Sequence, residues 1–148
     1  LREVDEDEFM KNIADIRSSC GDRAVLRAMH FYGDNARVEK QAAALKAGDF
    51  ETFKKYIIES GRSSYMYNQN VYSCKKASEQ PVSLALSLSE KLLDGCGAWR
   101  VHGGGFAGTI QAFVPLNKLD EYKDLMEKVF GSGSCYILSV RPVGGVEL

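Results

Sequence analysis

The stretch Val101-His102-Gly103-Gly104-Gly105-Phe106-Ala107-Gly108-Thr109 puts four glycines within six positions. A strand-like run, Gly97 to Val101, leads into it, and a second, Ile110 to Val114, leads out. A simple hairpin needs only a couple of turn residues. Extra glycine costs backbone entropy, so such a loop either bends through unusual φ values or lets other atoms approach the bare backbone. The short link predicts antiparallel pairing of the flanking runs.

The chain before this hairpin reads as helices. Asp5-Glu6-Asp7-Glu8 is an acidic helix start with box-like Asp5/Glu8 spacing, followed by Phe9, Ile13 and Ile16 at helical intervals. Asp22 is expected to cap a longer helix ending at Ala47-Gly48, and Asp49 to cap the next, with Gly61 as its stop. So short a turn between two long helices predicts an antiparallel pair. Periodicity is lost from Arg62 to Gln80, where the Tyr65 to Tyr72 stretch is rich in Tyr and Asn. Pro81 suits a first helical turn, and the helix it opens stops at Asp94-Gly95.

After the hairpin, Asn117 is expected to cap a helix carrying Leu119, Tyr122, Met126 and Val129. Cys135 to Arg141 alternates like a strand, and Pro142 to Gly145 reads as a turn. A helical crossover then returns the last strand beside the first two. The expected fold is α+β: a small, mainly antiparallel sheet covered by helices.

Length and charge narrow the function classes. The 148 residues suit one domain able to bury its own core. A net charge of -1 gives no electrostatic case for a nucleic-acid or membrane partner. No apolar run approaches the roughly 20 residues that span a bilayer, and the acidic N-terminus is unlike a signal peptide. Four scattered cysteines, Cys20, Cys74, Cys96 and Cys135, form no CxxC pair, so no metal site is expected and a reduced cytoplasmic chain is the simpler account. The chain begins at Leu1 without Met and already enters a helix, which is the expectation for a piece of something longer.

The loop fits no common phosphate-binding pattern. Gly108-Thr109-Ile110 lacks the lysine of a P-loop. Gly103, Gly105 and Gly108 have GxGxxG spacing but precede a strand instead of opening a helix, which removes the dinucleotide reading. Two readings stay open: an anion-holding concavity of backbone N–H groups, or a bend with no ligand. Arg100 and His102 share one face of their strand and flank the loop, where they would either meet phosphate oxygens or simply face water. His30 has no partner in view, and no nucleophilic triad is indicated. By its chemistry alone the chain lacks a complete active site.

Ala98-Trp99-Arg100-Val101-His102-Gly103-Gly104-Gly105-Phe106-Ala107-Gly108-Thr109 resembles the third signature motif of galactokinases within the GHMP small-molecule kinases, roughly G-A-R-M-T-G-A-G-F-G-G-C. Arg37-Val38-Glu39 through Leu45-Lys46-Ala47-Gly48-Asp49-Phe50 is similar to the family's helix pair with its A-L-x-x-G-D turn, and Ser60 to Tyr65 to its S-H-x-S-L segment. The resemblance runs from about Arg23 to Val140. Ala107 stands where glycine is usual, His102 where threonine is usual, and Thr109 where cysteine is usual.

That resemblance implies that residues 1–148 are the C-terminal domain of such a kinase, a ferredoxin-like variant. The phosphate loop, catalytic Asp and most sugar contacts would lie in an N-terminal domain, so no catalytic residue is expected here. It implies ATP and Mg²⁺ as cofactors, a small-molecule sugar as substrate, and the N-terminal kinase domain as partner. Gly103, Gly104, Gly105, Phe106 and Gly108 would approach the cleft between the domains, with Arg100 and His102 as neighbours. The implied reaction moves the γ-phosphoryl of ATP to the anomeric hydroxyl of galactose. The alternatives are a catalytically silent sugar sensor, which the altered motif residues motivate, or another GHMP kinase.

Overall fold

A computed structural model describes residues 1–106 and 108–140. The chain divides into two compact units, residues 1–115 and the residues from 116 onward. In the first, helices α1 (Glu6–Lys11), α2 (Ile13–Cys20), α3 (Asp22–Lys46), α4 (Phe50–Ser63) and α5 (Pro81–Leu93) precede strands β1 (Ala98–Val101) and β2 (Ile110–Phe113). The second holds a 3₁₀ turn, Leu116–Lys118, and helix α6 (Leu119–Phe130). The fold is α+β, as the sequence predicts.

Local chemistry starts and stops most helices. Asp5 caps α1 by accepting from the Glu8 amide at 2.7 Å. Asp49 caps α4 by accepting from the Thr52 amide at 3.0 Å, and the Thr52 hydroxyl first and that amide second hold its carboxyl below the usual carboxylate range. Gly48, at φ +70°, supplies the left-handed residue that ends α3. Asp22 differs from expectation. It is the first helical residue of α3, Gly21 occupies the cap, and the Asp22 carboxylate pairs instead with Arg17. Asn117 likewise lies inside the 3₁₀ turn, and Lys118 takes the cap position of α6.

Helices α3 and α4 form the predicted antiparallel pair, and their seam is polar. Gln41 reaches the Tyr56 carbonyl at 3.4 Å, Ser60 donates to Asp34, and His30 meets Ser63 at 2.9 Å. Positions rise along one helix as they fall along the other. Separately, Phe9, Val25, Ala28 and Tyr32 bury a small core where α1 meets α3.

Gly61 is not a helix stop. Helix α4 runs past it to Ser63 and continues as a π-helical turn, Ser64–Asn68. The glycine serves packing instead. A Cβ there would stand 3.0 Å from the Arg100 Cβ and 3.1 Å from the Trp99 carbonyl oxygen, so bare backbone lets α4 lie directly on β1. Around this contact Val71, Val82 and Val101 form a second core, and Phe53 packs edge-on against Phe113 at 5.3 Å.

The hairpin is antiparallel, with Ala98 opposite Phe113 and Val101 opposite Ile110. His102 donates to the Thr109 carbonyl at 3.1 Å, which leaves residues 103–108 as the loop proper. A third strand does not join this sheet among the described residues. Residues 135–140 carry no strand, and Tyr136, Ile137, Leu138 and Val140 are all exposed. Alternation states which face a strand would bury, but the ladder's hydrogen bonds come from a neighbour. Arg141 and the expected turn at 142–145 lie outside the described residues.

Gly61→Ala is expected to lower stability by about 1–3 kcal/mol through overpacking against β1. A shifted urea midpoint with unchanged slope would register it.

Candidate functional site

The glycine loop owes its shape to backbone that only glycine adopts freely. Gly103, Gly105 and Gly108 have φ of +64°, +77° and +89°. Phe106, at φ +24°, is a non-glycine residue held in a strained conformation, its ring more than half exposed. Of the two explanations for so many glycines, both apply, at different positions. Close approach happens at Gly105, where a Cβ would lie 2.0 Å from the Asn70 carbonyl oxygen. Gly104 has neither a positive φ nor any neighbour within 4 Å of a Cβ.

Asn70 is the group beneath the loop. Its carbonyl accepts the Phe106 amide at 2.8 Å, and its side-chain amide donates to the Gly104 carbonyl at 3.4 Å. Val71 beside it is buried against Val101 and Val82. Upstream, Arg27 donates to the Asn68 carbonyl at 3.1 Å and Arg23 to that of Gln69 at 3.3 Å. Helix α3 therefore anchors the segment that supports the loop. Nothing in the residue pattern singled out Asn70; only an unusual Tyr- and Asn-rich stretch marked its neighbourhood.

The two flanking residues part company. His102 is exposed at the end of β1. Arg100 is half-buried, with Nε donating to the Val101 carbonyl at 3.1 Å and its guanidinium 3.9 Å from Asp34. Arg100 also joins Arg62, Tyr65, Glu90 and Trp99 around a surface cavity of about 290 Å³ between α4 and α5.

Asp34 is the centre of a polar cluster. It accepts from Ser60 and from Arg37 at 3.1 Å, with His30 Nε2 at 3.8 Å. The His30, Asp34, Arg37 spacing on α3 was the available sequence signal. Ser63, His30 and Asp34 superficially line up as a nucleophilic triad, but Ser63 is buried and 3.8 Å is too long for the second hydrogen bond. Burial lowers the His30 pKa, against the opposing pull of Asp34 and with help from Arg37 and Arg100. Among the described residues no group of three or more His, Cys, Asp or Glu could hold a metal, and no helix is long and apolar enough to cross a membrane.

Comparison with known proteins finds distant relatives. The likeness is to galactokinases. The human galactokinase is 30% identical over all 148 residues, which span 35% of that protein. Those of Haemophilus influenzae and Mannheimia succiniciproducens are 26% and 25% identical over 126 residues, 85% of this chain and 31% of theirs. The chain thus spans about a third of the length of the curated relatives it matches. This is low identity, consistent with a galactokinase-like fragment of kinase lineage. No family model matches, and no solved structure matches significantly.

Two outcomes are expected. Gly104→Ala should leave the fold and its melting temperature unchanged, whereas Gly105→Ala should displace the loop and destabilise the domain by about 1–3 kcal/mol. A neutral imidazole in the folded state and a higher pKa in the unfolded chain mean that His30 favours folding above about pH 6.5, a contribution lost as pH falls through and below that value. The urea midpoint of wild type should therefore drop below that pH, and His30→Gln should flatten the dependence.

Proposed function

We propose that this chain is the C-terminal part of an ATP-dependent sugar kinase, most simply one that phosphorylates the anomeric hydroxyl of galactose. The observation carrying the proposal is the similarity to three galactokinases over most or all of the chain, in a chain whose glycine loop keeps an open backbone at Gly103, Gly104 and Gly108.

That loop suits an anion better than a cation. Residues 102–109 contain no carboxylate, so Mg²⁺ would be held elsewhere, whereas bare glycine backbone lets phosphate oxygens, or a segment bearing them, come close. When bound, ATP supplies the γ-phosphoryl, and catalysis of its transfer is largely positioning and charge stabilisation. The contribution of this chain would be a rigid wall: Gly103, Gly104, Gly105, Phe106 and Gly108 facing the cleft, with His102 exposed at its edge. Arg100, turned toward Asp34, would support that wall instead of touching phosphate.

The test compares sugar-dependent ADP release by the 148 residues and by the protein expressed from its natural start codon. The short chain should give none, and the longer one should turn over with galactose. Turnover by the short chain would overturn the division of labour. Silence of the longer protein across a sugar panel, with ATP and galactose still bound, would favour a sugar sensor, consistent with His102 and Ala107 replacing the usual motif residues.

A further inference from the structure

Asn70 is 5% exposed, yet among the described residues its side-chain Oδ1 has no hydrogen-bond partner. The companion Nδ2 donates a long bond, 3.4 Å, to the Gly104 carbonyl. A buried acceptor left unmatched costs about as much as an ordinary hydrogen bond contributes, or more. The side chain therefore adds little net stability where it stands. Its location is nonetheless tightly specified. Arg23 and Arg27 hold the two preceding carbonyls, Val71 is sunk in the core, and Gly105 has surrendered its Cβ position to the Asn70 main chain.

We propose that Asn70 is a positioning residue: from beneath, it sets the backbone of Gly104, Gly105 and Phe106 in the conformation that faces the reaction. The main-chain carbonyl draws the Phe106 amide inward and thereby keeps Phe106 at its positive φ. The side-chain amide pins the Gly104 carbonyl downward, which turns the outer edge of the loop toward whatever approaches it. Arg27 and Arg23 act through Asn70, not on the loop. A side chain whose worth is orientation instead of stability is the arrangement in which an unmatched buried acceptor is tolerated. The functional half of this inference rests on the sugar-kinase reading; the structural half does not.

The experiment uses the protein expressed from its natural start codon, as wild type, Asn70→Ala and Asn70→Leu, the latter filling the same volume without polar atoms. Three quantities are read: amide hydrogen exchange at residues 104–106, the urea midpoint, and kcat and KM for ATP and galactose. Both variants should keep the wild-type midpoint and speed exchange at residues 104–106 by about tenfold or more, with the rest of the chain unchanged. Turnover should fall by about tenfold or more while both KM values stay within about twofold. Unchanged exchange at the loop overturns the proposal, as does faster exchange throughout with a lowered midpoint, the mark of a merely structural residue. Unchanged kcat in an active enzyme overturns it too. If wild type turns over no sugar, the kinase reading has failed, and the exchange comparison alone decides whether Asn70 positions the loop.

Discussion

The packing of α4 directly on β1 at Gly61 is the contact on which the other features depend. A side chain there would meet the Arg100 Cβ and the Trp99 carbonyl, so the two elements could not lie as they do. Because they touch backbone to side-chain base, Arg100 lies within reach of Asp34 on the far helix, and the chain leaving α4 emerges beside the hairpin. The π-helical turn at Ser64–Asn68 and the left-handed Gln69 then redirect it so that Asn70 arrives under the glycine loop. One missing Cβ sets this geometry.

Polar groups at the α3–α4 seam follow the same logic. Asp34 gathers Ser60, Arg37, His30 and Arg100 from three elements. A half-buried carboxylate gains from such company, because partial desolvation is costly unless hydrogen bonds and opposite charge offset it. The cluster looks chemical on paper, with a serine, a histidine and an aspartate close together. Its burial and its long His30–Asp34 separation make it a structural tie between the helix pair and the sheet.

The loop and the cluster therefore divide the work. Asp34 ties Arg100 of β1 to the helix pair, and Asn70 holds the loop beyond the strand through Gly104 and Phe106. The proposed sugar-kinase role would use the loop's open face at Gly104 and leave its closed face at Gly105 to the protein itself. Such a division also explains why adjacent glycines differ: Gly105 is demanded by this chain's own fold, and Gly104 is not.

Much of this was legible beforehand. Asp5 and Asp49 announce helix starts because a short carboxylate satisfies amides within its own turn, and Gly48 and Pro81 act through their own backbones. The hairpin and the helix pair follow from short connections. Asp22, Gly61 and the run from Cys135 to Val140 read differently from how they fold, for a common reason. A cap can be outbid by a neighbouring arginine, a glycine inside a helix can be there for another element's sake, and an alternating segment becomes a strand only beside a partner. Sequence by itself determined the local elements and the positive-φ loop, since those depend on each residue's own conformational limits. Tertiary structure alone decided that Asn70 supports the loop and that Arg100 turns to Asp34, because those pairings join positions far apart in the chain, whose meeting depends on how the helices pack.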